Sequence, residues 1–386
     1  MSEIKVNSIK GVAASTAAIT VNNTDGTATA NLTNRQGKNL IINGAMNVAM
    51  RATTSTTSGY GSVDRFQVLS TGVDEAPTHA QVGVATNVTP YTLGFRNALK
   101  VTNGNQTSGA GAGDFIKVQQ NIEGQDINRS GWNLTDPNSK LTISYWVKSS
   151  VAQTFYGRFR AFASSEYEYT YSFALSADTW TKVTKTIPGN SNFSSLVDTN
   201  ASGFFHIWQC FFGTDFTNNK TLDEWAVKDN ANKSPDMTST WYTTNNATFE
   251  LTGVQLEVGS VATDFEHKSF TDDYLRCARY FQQFGGTRVY FAGRTSNTDG
   301  LNVSPACPVP MRATPTCSGG GSYELFSSSG QGSSSTTPTI ETYQTRDFTQ
   351  CFIGNVFFTL ASGTYCSDAR VGSVRIGDTL NFDAEL

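Results

Sequence analysis

The chain has 386 residues, enough for two domains and a short terminal element, and 28 Lys and Arg against 32 Asp and Glu leave a net charge of −4. Only 16% of residues are charged, against roughly 25% in an average globular protein, while aromatics reach 12% and much of the rest is Ser, Thr, Asn and Gly. Neither nucleic acid nor an acidic membrane is expected as a partner, no run of about 18 apolar residues marks a membrane span, and the composition fits a β-rich protein that works outside cells.

Residues 1–38 form a distinct segment. Ile4, Val6 and Ile9 alternate with polar residues, as do Ile19 and Val21, which predicts two short strands. Runs of Ala, Ser, Thr and Asn around them hold too few large side chains for a core, so the segment is expected to pair with another chain or stay mobile. Its first residues carry charges but no apolar stretch with a small-residue cleavage site, and they are not read as a secretion signal.

Residues 39–268 read as one β-sandwich of the jelly-roll kind. Val63–Leu69, Ala98–Thr102, Phe115–Ile122, Leu141–Lys148, Thr154–Phe162, Tyr167–Phe173, Trp180–Ile187 and Phe204–Phe212 alternate or are rich in β-branched and aromatic residues. Turn signals such as Ser130-Gly, Asp136-Pro and Pro188-Gly-Asn separate them. The closing strand carries Leu251, Val254, Leu256 and Val258, and Gly253 interrupts its alternation, which suggests a bulge or a close backbone approach.

One short helix is expected over 269–284. Asp272 and Asp273 cap it, Arg276 and Arg279 favour its far end, and Gly285-Gly286 stops it. Leu275, Phe281 and Phe284 are expected to pack between the sandwich and a smaller C-terminal β domain, residues 285–386. The overall class is mainly β.

The chain shows no Gly-x-Ser-x-Gly elbow, phosphate loop, His-Glu-x-x-His or Asp-rich calcium loop, so no cofactor, metal or catalytic residue is assigned and the protein is read as non-enzymatic. Asp64, Asp114, Asp178, Asp215, Asp264 and Glu250 lie in or beside strands. Two of them about 5–10 Å apart would suffice for a polysaccharide hydrolase, but turns and strand ends are the expected roles. His206 sits in an apolar strand word and reads as a core or edge residue. Of six cysteines, at 210, 277, 307, 317, 351 and 366, none forms a Cys-x-x-Cys pair. They read as small buried hydrophobes, with one or two C-terminal disulfides as the alternative.

Aromatics supply the candidate binding residues. Tyr167, Tyr169 and Tyr171 alternate, so they share one side of a strand, with Glu166 and Glu168 on the other. Exposed, they would form a platform for the C–H faces of a sugar. The same spacing fits a row facing the core or a neighbouring subunit. Trp132, Trp225 and Trp241 lie in loop-like polar stretches, either as further sugar-stacking residues or as anchors under the sandwich edge. Tyr343 and the Gly/Ser/Thr-rich residues 318–337 are candidate receptor-binding elements of the last domain.

Three strings carry a family resemblance. Asn39–Arg51, the run from Glu250 to Phe284 and the segment Val309–Thr316 resemble the tail-fibre-like proteins of tailed phages and prophages. Leu141–Lys148, Trp180–Pro188 and Phe249–Glu257 resemble the jelly rolls of carbohydrate-binding modules. The resemblance implies a virion protein, a tail fibre or adhesin, that is assembled in the host cytoplasm and attaches the particle to a host glycan or protein receptor. It also implies a homotrimer joined to other virion proteins through residues 1–38. A capsid-associated fibre or decoration protein is the second reading and a polysaccharide depolymerase the third.

Overall fold

A computed structural model describes residues 6, 8–9, 19–21, 28–30, 37–285, 289–295, 300–319, 323–327, 330–334, 339–340, 356–359, 371–376 and 379–386. Three short strands, β1 (Ser8–Ile9), β2 (Ile19–Val21) and β3 (Ala28–Ala30), pair antiparallel in that order. The third was not expected, because Ala-Thr-Ala has no large apolar residue whose alternation could be read.

The sandwich strands follow. They are β4 (Thr54–Ser55), β5 (Gln67–Thr71), β6 (Thr78–Gly83), β7 (Asn97–Thr102), β8 (Phe115–Glu123) and β9 (Lys140–Ser149). Next come β10 (Gln153–Phe162), β11 (Glu166–Leu175), β12 (Thr181–Pro188), β13 (Ser202–Phe212), β14 (Trp225–Val227) and β15 (Thr248–Val258). They build two six-stranded antiparallel sheets, ordered β14-β11-β10-β13-β8-β5 and β12-β9-β15-β7-β6-β4, which stack as a jelly-roll β-sandwich. Short helices α1 (Thr89–Thr92), α2 (Gly124–Asn128) and α3 (Thr240–Thr243) lie in the connections. The strand expected from Val63 begins only at Gln67, because Arg65 takes a left-handed φ of 72° that ends extended pairing before it.

Alternation decides what each strand buries. Phe155, Phe159, Tyr171, Phe204, Trp208, Ile143, Tyr145, Leu251 and Leu256 fill the space between the sheets, and such aromatics bury large areas at modest entropy cost. The bulge expected at Gly253 is present. The register of β15 against β9 shifts between Thr252 and Gln255, Gly253 has φ 62°, and a Cβ there would lie 2.6 Å from the Phe95 ring. Asn39 fills the gap that the bulge opens. Its side chain donates to Val254 O at 3.0 Å and accepts from the Leu256 and Ile41 amides at 3.0 Å, which gives the Asn39–Arg51 string its structural role.

Helix α4 (Phe270–Ala278) starts at Ser269, whose Oγ accepts from the Asp272 amide at 3.1 Å, with Asp272 and Asp273 in the first turn and Arg276 in the last. The helix is shorter than the sequence suggested. Residues 281–284 are instead strand β16 (Phe281–Phe284), paired with the chain's last strand, because Phe281 gains a buried site and the segment gains a ladder with that strand.

The remaining strands are β17 (Val289–Thr295), β18 (Gly300–Val303), β19 (Thr316–Gly319), β20 (Tyr323–Ser327), β21 (Gly330–Ser334), β22 (Thr339–Ile340), β23 (Val356–Thr359), β24 (Val371–Ile376) and β25 (Leu380–Asp383). They form sheets ordered β16-β25-β19 and β21-β20-β24-β17-β18-β23-β22 around a smaller core that includes Leu301, Leu325, Phe358, Val374 and Phe382. Cys210 and Cys277 are buried free thiols, Cys317 is a half-buried one, and Cys307 is buried. Cys351 and Cys366 lie outside the described residues. Among the described residues no helix is long and apolar enough to cross a membrane.

Candidate functional site

The tyrosine row does not form a platform. Tyr169 and Tyr171 point between the sheets and are buried, because β11 turns its aromatic side toward the sheet of β9, where burial of the rings outweighs any exposed arrangement. Tyr171 fits only because residue 157 on the neighbouring strand is glycine: a Cβ there would lie 2.3 Å from its ring. Its hydroxyl meets Tyr145 Oη at 3.0 Å and His206 Nε2 at 2.9 Å, so the two tyrosine hydroxyls are paired within the core. Burial, and then the charge of Arg158, hold His206 well below its ordinary pKa. Tyr167 is half-buried against Phe193.

The tryptophans anchor loops. Trp132 packs against Phe193 and Phe204 and donates to Ser139 O at 3.2 Å. Trp241 is fully buried and donates to Thr248 O at 3.0 Å. Trp225, half-buried, lies edge-on to Tyr169 and Phe193 and donates to Pro188 O at 2.8 Å. A ring whose face is covered by neighbours cannot stack on a sugar, so Tyr169, Tyr171, Trp132 and Trp241 are corrected from binding residues to core residues. Tyr343 lies outside the described residues.

The chemistry gathers on the opposite side of the same sheet. Opposite Tyr169 and Tyr171 in the alternation of β11 come Glu166, Glu168 and Thr170. Register places Thr170 opposite Arg158, and Glu168 opposite Arg160. Across β10, Gln209 of β13 sits opposite Tyr156, and on its other side opposite Lys117 of β8. Arg158 pairs with Glu168, and Arg160 with Glu166, which also takes Lys228 at 2.6 Å. Phe162 and Phe205 lie beneath the Arg160 guanidinium, with ring centroids 5.0 and 5.3 Å away. A ladder of amides runs along β8. Lys117 donates to Gln119 at 2.8 Å, Gln119 to Asn121 at 2.6 Å, and Asn121 to Leu386 O at 2.8 Å.

Two elements close over this face. The excursion of residues 213–237 crosses one half, where Thr170 Oγ1 donates to Lys233 O at 2.9 Å and the Asp223 amide to Thr170 O at 2.8 Å. The chain's last residue lies against the other half, at Asn121 and Gln67. Gln209, Glu168 and Arg158 are consequently 0–3% exposed. Yet Gln209 Oε1 and Nε2, Glu168 Oε2, Arg158 Nε and Arg160 Nε have no hydrogen-bond partner among the described residues. Leaving such atoms unmet costs about 1–3 kcal/mol each. Sequence reasoning placed Glu166 and Glu168 opposite the tyrosines but missed this cluster. Its signal is an alternation of polar residues in three separate strands, and only their pairing brings these residues together.

Three of the carboxylates weighed for hydrolysis serve the scaffold. Asp64 accepts from Arg51 at 2.8 Å, Asp114 from the Tyr242 hydroxyl at 3.0 Å, and Glu250 pairs with Lys148 at 3.0 Å. Among the described residues no three His, Cys, Asp or Glu side chains gather as metal ligands. A separate cleft of about 990 Å³ opens where the chain enters the sandwich, between Lys38, Arg129, Val261 and Arg276. Its one ring, Tyr280, is buried and commits its hydroxyl to Glu123.

No protein-family model matches this sequence, and no curated protein does. Solved structures are similar at the level of the fold. The enzymatically active domain of tailspike protein 4 of bacteriophage CBA120 matches over 57% of this chain at 10% identity and a TM-score of 0.32, and this chain covers only 21% of that one. The N-terminal cellulose-binding domain of Cellulomonas fimi β-1,4-glucanase C matches over 55% of this chain and 99% of its own length, at 14% identity and a TM-score of 0.27. The family 11 carbohydrate-binding module of Clostridium thermocellum, solved with a mixed-linked tetrasaccharide, matches over 55% and 96% at 11% identity and 0.26. Similarity this distant assigns no activity, so the functional reading rests on the face itself.

Proposed function

We propose that this chain is a non-enzymatic structural protein of a tailed-phage virion, a tail fibre or adhesin, which attaches the particle to the host by binding a surface glycan on the outward face of the first sheet. The observation that carries the binding reading is the set of unmet polar atoms on Gln209, Glu168, Arg158 and Arg160, beside the half-buried Phe162. Planar amide, carboxylate and guanidinium groups match vicinal hydroxyls. The non-enzymatic reading is supported by both glutamates of the face being held in ion pairs with arginines. The virion assignment rests on the strings at 39–51, 250–284 and 309–316. In this reading residues 1–38 join the particle, three copies assemble around one axis, and the C-terminal strands stand farthest from the attachment point.

The test is retention of the full-length protein on immobilised polysaccharide from the host envelope, with competition of phage adsorption as the second readout. The wild-type protein is expected to bind and compete, and Gln209→Leu to do neither while melting normally. Release of reducing sugar would move the protein to the depolymerase class. Competition by residues 285–386 alone would move recognition to the domain of Tyr343. Removing residues 1–36 is expected to leave binding intact and to abolish incorporation into particles.

A further inference from the structure

The outward face holds more positive charge than it neutralises. The charged groups facing it are Lys117 from β8, Arg158 and Arg160 from β10, Glu166 and Glu168 from β11, Lys228, Lys233 and Asp236 from the excursion, Asp223, which is committed to Lys185, and the end group of Leu386 against Asn121. Strand β13 contributes only Phe205, Ile207 and Gln209. Glu168 takes Arg158, Glu166 takes Arg160 and Lys228, and Asp236 accepts from Thr217 at 2.7 Å. Lys117 and Lys233 are left with no carboxylate partner among the described residues. Lys117 reaches only a neutral amide, and Lys233 rests on the Phe216 ring at 4.2 Å.

Burial, then the charge of Arg158, press both lysines toward neutrality, Lys117 to about 7 and Lys233 to about 8. Arg160 works in the same direction on each, and Lys233 itself acts on Lys117. Two ammonium groups that disfavour their own charge, beside a buried amide with both ends unmet, describe a site short of one anion.

Resting on the glycan-binding reading above, we propose that the glycan taken by this face is acidic: its carboxylate, phosphate or sulfate group is bound by Lys117 and Lys233, while Gln209, opposite Lys117, binds a neighbouring hydroxyl. A neutral sugar would satisfy Gln209 and leave both lysines as they are. An acidic one raises their affinity for protons, so binding draws protons from solution. At pH 8 the uptake approaches about one and a half protons per site, since Lys117 is then mostly neutral and Lys233 about half neutral in the free protein.

The experiment is calorimetry on the full-length protein at pH 8 in two buffers of different ionisation enthalpy. The probes are tetragalacturonate, a heparin tetrasaccharide and pentamannose 6-phosphate, set against neutral cellotetraose and inorganic phosphate. At least one acidic sugar is expected to bind about tenfold or more tighter than cellotetraose, with proton uptake. Lys117→Met and Lys233→Met are each expected to remove that advantage and reduce the uptake, with near-ultraviolet circular dichroism unchanged. Cellotetraose binding as tightly as every acidic probe, with both variants unaffected, would overturn the inference and leave the glycan reading standing. Binding of no sugar at all would overturn both. Inorganic phosphate bound as tightly as the acidic sugars would reduce the face to a simple anion site and overturn the glycan assignment.

Discussion

Arg279 grips Glu123 through both carboxylate oxygens, each at 2.8 Å, and the Tyr280 hydroxyl reaches the same group at 2.6 Å. Burial works against the Glu123 charge, but these hydrogen bonds outweigh it and hold the carboxyl below its usual range. A second cluster lies alongside. Arg51 bridges Asp64 and Asp383 at 2.8 and 2.9 Å, and Arg65 pairs with Glu385 and lies 3.4 Å over the Tyr280 ring. The seam between sandwich and C-terminal strands therefore carries ion pairs beside an apolar cluster of Ile42, Val48, Cys277 and Tyr280, and of the Leu275, Phe281 and Phe284 suggested by the sequence it buries Phe281.

Glu123→Ala is expected to cost about 1–3 kcal/mol, because it leaves the buried Tyr280 hydroxyl and the half-buried Arg279 without their shared acceptor. Urea unfolding followed by intrinsic fluorescence reads the change, and limited proteolysis is expected to cut between 279 and 285. An unaltered unfolding midpoint would mean that the pair does not hold the seam.

Phe281 is buried under the Arg51 guanidinium, 3.8 Å from its ring, whereas Leu275 is half-buried and Phe284 packs on Phe291 and Phe382 within the C-terminal strands. Phe281→Ala is expected to cost about 3–5 kcal/mol and Leu275→Ala about 1–2 kcal/mol less than a fully buried leucine would. Equal losses for the two variants in thermal melts would show that α4, not β16, carries the packing.

His206 sets the acid limit of the sandwich. Its folded pKa lies far below the unfolded value near 6.5, so stability is full above about pH 6.5 and falls as the pH drops and the unfolded chain takes up the proton. Asp64, raised to about 6 chiefly by burial, acts with the opposite sign between its unfolded value and 6. The difference between wild-type and His206→Gln isolates the histidine: the variant should lose less stability between pH 6.5 and 4.5. Parallel curves for the two proteins would refute this.

Lys117 and Lys233 predict the other arm. Their folded values, about 7 and about 8, lie below the unfolded value, so the unfolded chain holds the extra protons and stability rises from about pH 7 toward pH 10. Above about pH 10 the gain is offset, because buried Tyr145 and Tyr171 resist ionisation and the unfolded chain is favoured. Lys117→Met and Lys233→Met should each flatten the rise, as read from urea midpoints at pH 7, 8, 9 and 10. A rise that survives in the double variant would place its origin elsewhere.

Strand identity was legible because it is local. Period-two alternation in Leu141–Lys148 or Thr154–Phe162 marks a pleated segment whatever it pairs with, and Gly253 announced its bulge by breaking that period. Which side of a strand faces the core is not local. Tyr167, Tyr169 and Tyr171 share a side in any β arrangement, and only stacking against the sheet of β9, with Gly157 making room, sends Tyr169 and Tyr171 inward and Glu166 and Glu168 outward. For the same reason residues 281–284 could not be read from their own neighbours, since β16 exists through β25, about a hundred residues later in the chain. Lys117, Arg158, Gln209 and Lys233 are likewise ordinary surface residues in sequence, and the desolvation and mutual repulsion that make them a candidate site arise only when three strands and an excursion close around them.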